Sequence, residues 1–217
     1  MICHNYVSFT IRSSFYSLPQ SKKISYKKAF LKELQKEKKV ITYTYATLGL
    51  KTNTTFLLWL QADSVEEIQQ YLNKLMHTEM GNFLKITYTL LGMTRQTQYS
   101  SATSKQLDTS RKGGKYLIIY PFTKTNEWYK LTFEKRKELM KGHISVGRNY
   151  PQITQLLLYS YGIDDQEFIV SYETDDLADF QRLVIELRSD KVRAYTLKDT
   201  PIFTCIYKTT EELIEFI

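Results

Sequence analysis

The spacing of apolar residues along the chain predicts a regular alternation of strands and helices. Aromatic and β-branched runs predict eight strands, at residues 6–11, 40–46, 56–60, 84–91, 116–120, 153–160, 168–172 and 202–207. Apolar residues at helical spacing predict one helix around Phe30 and further helices that begin after Ser64, Thr132 and Asp176. Each half therefore has the order β-α-β-β-α-β of a ferredoxin-like fold, and the fold class is α+β.

The chain is predicted to be an internal repeat. Leu48-Gly49-Leu50 in the first half matches Tyr161-Gly162-Ile163 in the second, and the two glycines are 113 residues apart. Asp63 and Asp176 have the same separation, which is typical of a duplicated domain rather than of a solenoid. We expect a first half at residues 1–93, a flexible linker rich in Ser, Thr and Gln at 94–114, and a second half at 115–217.

Composition excludes several classes of protein. The 217 residues are 42% hydrophobic and 24% charged, close to a globular average, which argues against a disordered chain. Apolar runs are much shorter than the roughly 20 residues needed to cross a bilayer, so no integral membrane segment is expected. Cys3 and Cys205 cannot form a disulfide framework, and the simplest interpretation is a reduced, cytoplasmic protein without a secretory signal.

The net charge of +7 permits nucleic acid, an acidic membrane surface or an anionic small molecule as a partner. Much of the excess lies in the lysine-rich stretch 22–39, which is typical of a solvated helix face. The 17 tyrosines and 11 phenylalanines suit ordinary sheet packing or a flat ligand. A nucleic-acid module is permitted by the fold alone, but no RNP-like motif is present, so we expect no nucleic-acid partner.

The three histidines are the candidates for metal chemistry. His4 lies beside the terminus, where we expect a frayed position, and His77 follows a predicted helix. His143 stands between Gly142 and Gly147, where the backbone approaches other groups closely. Since HExxH and CxxC motifs are missing, a zinc site is disfavoured. A lone histidine could still bind haem iron, because the porphyrin supplies four nitrogens and the protein one imidazole.

Motifs in a fixed order resemble the chlorite dismutase-like family, and within it the coproheme decarboxylases. In the second half these are Tyr120-Pro121-Phe122-Thr123-Lys124, Trp128-Tyr129, His143, Gly147-Arg148 and residues 161–168. Elsewhere they are Gly49-Leu50, 56–60, 90–95, Tyr99, Leu187-Arg188, Tyr195-Thr196 and Asp199-Thr200-Pro201. The resemblance implies two ferredoxin-like halves in one subunit, as the repeat indicates independently, and a homopentameric assembly.

The resemblance also implies a haem site in the second half. His143 matches the proximal ligand of the haem iron, and Trp128 matches a tryptophan on the same side of the ring. Gln155 stands where the decarboxylases carry a distal glutamine and true chlorite dismutases carry an arginine. A neutral amide cannot supply the positive charge that holds an oxyanion during chlorite cleavage, so Gln155 argues against efficient chlorite turnover.

The implied reaction acts on the edge of the porphyrin. Tyr120 matches the tyrosine that forms a radical and attacks a propionate, while Lys124 and Arg188 match cations beside the propionates. The expected activity is the decarboxylation of iron-coproporphyrin III (coproheme), an anionic porphyrin, to haem b, with hydrogen peroxide as oxidant. The alternatives are detoxification of chlorite or peroxide by bound haem, and a non-catalytic haem carrier or sensor.

Three positions depart from the pattern of the bacterial decarboxylases. Phe122 replaces a methionine, and Ile144 replaces the glycine that usually follows the proximal histidine. Arg193 stands where those enzymes tend to have a serine that contacts a propionate. These departures concern the substrate more than the fold.

Overall fold

The structure, a computed structural model, describes residues 1–95 and 109–217. Its elements in chain order are β1 (Cys3–Ile11), α1 (Gln20–Lys36), β2 (Ile41–Ala46), β3 (Phe56–Ala62), α2 (Val65–Met76), β4 (Leu84–Met93), β5 (Tyr116–Lys124), α3 (Asn126–Lys130), α4 (Phe133–Arg148), β6 (Thr154–Tyr159), β7 (Phe168–Thr174), α5 (Leu177–Ser189), β8 (Thr196–Lys198), β9 (Phe203–Lys208) and α6 (Thr210–Phe216). The α+β fold class is confirmed, and every predicted strand is present.

The helices begin where their capping residues predict. The Ser64 hydroxyl accepts a hydrogen bond from the backbone N–H of Glu67 at 3.3 Å, and α2 follows. Thr132 caps α4 in the same way, and the Asp176 carboxylate caps α5 by accepting from two backbone N–H groups. These side chains satisfy N–H donors that the first helical turn leaves without partners, which is why they mark helix starts.

The chain divides into two compact units. The first comprises Met1–Met93 together with Phe203–Ile217, and the second runs from Thr94 to Ile202. This grouping differs from the predicted halves, because residues 203–217, which were predicted to belong to the second half, group with the first unit. Most of the predicted linker 94–114, with Tyr99, lies outside the described residues.

The first unit is a five-stranded antiparallel sheet in the order β4-β1-β3-β2-β9, with helices packed on one face. Alternate residues of β3, Phe56, Leu58 and Leu60, contribute to the core beneath those helices. At the edge of this sheet β9 pairs with β2, and Leu213 of α6 enters the same core. This pairing and burial explain why the C-terminal residues group with the first unit.

In the residues that the structure describes, the second unit is a four-stranded antiparallel sheet in the order β6-β7-β5-β8, with α4 and α5 beside one face. The repeat is visible in its details. Phe122 pairs with Phe168 across β5 and β7, and their rings stack at 4.6 Å, as Phe9 and Phe56 do at 4.9 Å across β1 and β3. No helix within the described ranges is long and apolar enough to span a membrane.

The expectation that His4 is frayed is wrong. His4 is a fully buried residue of β1, and its Nδ1 accepts a hydrogen bond from Trp59 Nε1 at 3.1 Å. Burial disfavours the charged imidazolium and lowers the pKa of His4 to about 4. The N-terminal strand is held because β1 pairs with strands on both of its sides.

We expect His4 to make the fold sensitive to acid. Below about pH 6.5 the unfolded imidazole takes up a proton that the folded one refuses until about pH 4, so stability falls across that interval. Between pH 7.5 and 4.5 the free energy of unfolding should fall by about 2.5 kcal/mol less in His4→Gln than in the parent protein. Urea unfolding at both pH values measures this. The control, exposed His77→Gln, should behave like the parent, and an unchanged pH dependence in His4→Gln would contradict the prediction.

Candidate active site in the second unit

The second unit contains a cavity of about 770 Å³ between its sheet and helices α4 and α5. Ligand and cofactor sites typically measure about 300–1,000 Å³. Alternate residues of the strands form one wall, because successive side chains of a strand point to opposite faces. Every site residue that the sequence singled out lines this cavity: Tyr120, Lys124, Trp128, His143, Gln155 and Arg188.

The repeat explains why the second unit is open at this place. The separation of 113 residues that relates the two turn glycines also relates Phe30 to His143 and Leu34 to Gly147. Phe30 and Leu34 are buried in the core of the first unit. At Gly147 an added Cβ would meet no atom within 4 Å. Two apolar side chains thus fill a space in the first unit that the second unit leaves unfilled, with an imidazole at its wall.

His143 projects from α4 and is mostly buried. Its Nδ1 is buried and has no hydrogen-bond partner among the described residues. Burial lowers the pKa of His143, and the nearby Lys124 ammonium lowers it further, while the Asp190 carboxylate acts in the opposite direction. Gly142 allows the Asp190 carboxylate to lie this close to α4, since a Cβ on residue 142 would lie 2.9 Å from Asp190 Oδ2. The imidazole is therefore held in its neutral form, which is the form that binds metals.

The donor set at this site suits a metal that brings most of its own ligands. Within residues 1–95 and 109–217, no three His, Cys, Asp or Glu side chains converge as a metal site. A porphyrin supplies four nitrogens and needs one axial imidazole from the protein. His143 lines a large cavity with apolar walls, which is compatible with that requirement.

Tyr120 lies on β5 in the sheet wall, opposite α4 and α5. Its ring stacks on Tyr172 with centroids 6.2 Å apart. Burial raises the pKa of Tyr120, and the Asp199 carboxylate adds to this, whereas the Tyr172 hydroxyl and the Arg188 and Arg193 guanidiniums act in the opposite direction. The phenol is therefore protonated at neutral pH and has both carboxylate and guanidinium groups nearby.

Two arginines meet one carboxylate beside Tyr120. The Oδ2 atom of Asp199 lies 2.8 Å from an Nη of Arg188, at the end of α5. The same oxygen lies 3.2 Å from an Nη of Arg193 in the short helix Lys191–Tyr195. All three side chains line the cavity, and the cluster keeps a net charge of +1. We call these three residues the arginine cluster.

Lys124 lies farther along β5, between two aromatic rings. Its Nζ is 4.7 Å from the centroid of Trp128 and 5.7 Å from that of Phe122, distances typical of cation–π contacts. The pKa of Lys124 is lowered to about 8, mainly by burial and then by Arg193, although Glu167 and Asp190 oppose the shift. Trp128 is buried, and its ring contacts this ammonium.

Gln155 reaches the cavity from β6, on the far side of β7 from Tyr120. It pairs in register with Tyr172, so the two side chains share the cavity-facing side of the sheet. Tyr120 and His143 stand on different walls, one on the sheet and the other on α4.

Sequence reasoning missed several groups at the cavity. The hydroxyls of Tyr129 and Tyr161 lie 2.8 Å apart, and the pKa of Tyr129 is strongly raised by burial and by hydrogen bonding with Glu167 and Tyr161. These residues stood in the quoted motifs, but no spacing rule couples side chains so far apart in the chain. Among the described residues, six basic side chains line the cavity against one acidic one, Asp199: Arg95, Lys124, Arg136, Arg148, Arg188 and Arg193.

The family model described as chlorite dismutase matches residues 20–208. The chain belongs to the chlorite dismutase family.

Relatives within that family include two proteins named coproheme decarboxylase. That of Mycolicibacterium smegmatis is 26% identical over 186 residues, which cover 85% of this chain and 80% of that protein. That of Staphylococcus saprophyticus is 29% identical over 166 residues, covering 69% and 66%. A double mutant of chlorite dismutase from Candidatus Nitrospira defluvii is 25% identical, with a TM-score of 0.91 over 99% of this chain and 94% of that one.

We expect Lys124 to titrate more than two pH units below an ordinary lysine. Burial and the neighbouring Arg193 disfavour its ammonium form, which places its pKa at about 8. Reductive methylation with ¹³C-formaldehyde and NMR titration should show one dimethyl-lysine resonance with a midpoint near pH 8. That resonance should vanish in Lys124→Arg and persist in the control Lys130→Arg. A protein in which all lysine resonances titrate above pH 10 would contradict the prediction.

Proposed function

We propose that this protein decarboxylates iron-coproporphyrin III to haem b, with hydrogen peroxide as the oxidant. The observation that carries the proposal is the position of Tyr120. Its phenol lies in the wall of a cavity large enough for a small-molecule ligand, next to the arginine cluster, while His143 stands on the facing helix wall. A cytoplasmic location and a homopentameric assembly stay predictions.

The charge of the cavity supports a ligand with several carboxylates. Six basic side chains against one acidic one leave a formal excess of five positive charges when Lys124 is protonated. Iron-coproporphyrin III carries four propionates around a flat apolar ring, and haem b carries two. Guanidinium groups bind carboxylates through paired N–H donors, and the strand and helix walls offer apolar contact to the ring.

His143 and Gln155 would receive the centre of the ring from the helix and sheet walls. In the proposed complex the neutral His143 imidazole binds the substrate iron, which supplies the redox chemistry with peroxide. Gln155 on the sheet wall offers a neutral amide that hydrogen-bonds without adding charge. Lys124, Arg188 and Arg193 bind the propionates and fix the orientation of the ring edge against Tyr120.

Tyr120 would carry the oxidation to the side chain of the substrate. The phenol gives up one electron and one proton, and the phenoxyl oxygen then takes a hydrogen atom from the propionate. Loss of a second electron and of CO₂ leaves a vinyl group. For each propionate, one peroxide is reduced to two waters and one proton is consumed, so atoms and charge balance. Two rounds give haem b.

We expect Tyr120→Phe to abolish decarboxylation, because phenylalanine has no hydroxyl hydrogen to give up. Mass spectrometry after titration of the coproheme-loaded parent protein with peroxide should show the loss of two carboxyl groups. Tyr116→Phe, on the same strand but outside the cavity lining, is the matched control and should retain activity. A Tyr120→Phe variant as active as the parent would remove Tyr120 from the mechanism.

We expect His143→Ala to lose the imidazole-ligated absorbance spectrum of the bound iron porphyrin. Added free imidazole should restore that spectrum, because the truncated side chain leaves room for it at the cavity wall. The exposed His77→Ala is the control and should leave the spectrum unchanged. An unaltered spectrum in His143→Ala would mean that another group binds the iron.

Chlorite cleavage is the alternative activity, since chlorite dismutase structures share this fold. Gln155 supplies no positive charge on the sheet wall, so we expect no oxygen release when chlorite is added to the haem-loaded protein. Oxygen release together with an unchanged coproheme mass would favour the alternative. Porphyrin binding with neither reaction would indicate a non-catalytic carrier or sensor.

A further inference from the structure

The arginine cluster already has the geometry of an occupied carboxylate site. One oxygen of Asp199 lies within 3.2 Å of guanidinium nitrogens from both Arg188 and Arg193. Each guanidinium has five N–H donors, so one shared oxygen cannot satisfy them all. The arginine side chains are 43% and 32% exposed and Asp199 is 18% exposed, which leaves donors facing the cavity.

The position of the cluster links it to the reacting side chain of the ligand. Asp199, Arg188 and Arg193 line the same cavity as Tyr120, the group that would take the hydrogen atom, and their charges act on its phenol. If the proposed function holds, the ligand edge at Tyr120 is a propionate in the substrate and a vinyl group in the product. A vinyl group accepts no hydrogen bond from a guanidinium.

We propose that the arginine cluster distinguishes substrate from product at the reacting edge of the porphyrin. Arg188 and Arg193 bind the carboxylate that is about to be lost. Once CO₂ has left, Asp199 remains as the internal carboxylate and counter-charge for both guanidiniums. This inference rests on the proposed function and gives Arg193 a role in specificity.

Arg193 is the residue on which discrimination depends most. Arg188 lies at the end of α5 with more of its side chain in solvent, whereas Arg193 is less exposed and also acts on the charge of Lys124. Hydrogen bonds to charged groups strengthen when they are partly removed from water.

Iron-free porphyrins test the proposal without catalysis. Coproporphyrin III has four carboxylates, and protoporphyrin IX has the same ring with vinyl groups in place of two of them. Quenching of tryptophan fluorescence, with Trp128 in the cavity wall, reports their binding. Arg193→Ser should weaken coproporphyrin III binding about tenfold and protoporphyrin IX binding less than about twofold.

Two further variants make the test specific. Arg182→Ser removes the same charge from α5 at an exposed residue that pairs with Asp179 outside the cavity lining, and it should bind both porphyrins like the parent. Arg193→Lys keeps the charge but lacks the planar fork, and should weaken coproporphyrin III binding about threefold. It also keeps the test usable if the serine variant does not fold.

The outcomes separate this inference from the proposed function. Equal weakening of both porphyrins by Arg193→Ser, or no weakening of either, would overturn discrimination by the arginine cluster even if the parent protein decarboxylates coproheme. A parent protein that leaves the coproheme mass unchanged would overturn the proposed function, and with it the inference. Selective weakening of coproporphyrin III alone supports the inference.

Discussion

A sheet with helices on one face must fill the space between the two layers, and the two units of this chain meet that requirement differently. Protein interiors pack densely, so an unfilled apolar space between layers forfeits contacts on every side. In the first unit Phe30 and Leu34 fill the space. In the second unit the corresponding positions are His143 and Gly147, and the space remains as a cavity. The same repeated arrangement of sheet and helices therefore gives a packed core in the first unit and a cavity in the second.

Burial in that cavity shifts three ionisable groups toward their neutral forms. It lowers the pKa of His143 and of Lys124 and raises that of Tyr120, because in each case removal of water disfavours the charged form. All three groups are therefore shifted toward neutrality by one cause. A carboxylated ligand changes the balance for Lys124 in particular, because an added anion favours its ammonium form, whereas the neutral imidazole is already the metal-binding form.

The parts of the structure that local pattern controls were predictable from the sequence. Strand runs, the capping residues Ser64, Thr132 and Asp176, and the turn glycines all act over a few residues, so their signals can be seen in a single segment. Gly49 and Gly162 do adopt positive φ angles, of 79° and 71°. The six site residues came instead from motifs in order, which the resemblance to a family supplied and periodicity alone did not.

What the sequence did not reveal depends on contacts between distant segments. The grouping of Phe203–Ile217 with the first unit follows from one strand pairing, which leaves no local signature. His4 was predicted to be frayed because no residue near it in the sequence indicates the hydrogen bond that it accepts from Trp59. The arginine cluster likewise joins α5, a short helix and the loop before Phe203 through a single oxygen of Asp199.

The distribution of charge decides which part of a ligand this cavity recognises. The resemblance places a distal arginine of true chlorite dismutases at the position of Gln155, where this chain has a neutral amide on the sheet wall. It has an additional guanidinium at Arg193, beside Tyr120. Relative to that pattern, positive charge is absent at position 155 and present at position 193. Because a fixed charge stabilises an anion only where it is aimed, under the proposed function this arrangement would favour recognition of carboxylates at the periphery of a porphyrin over cleavage of a small oxyanion at its centre.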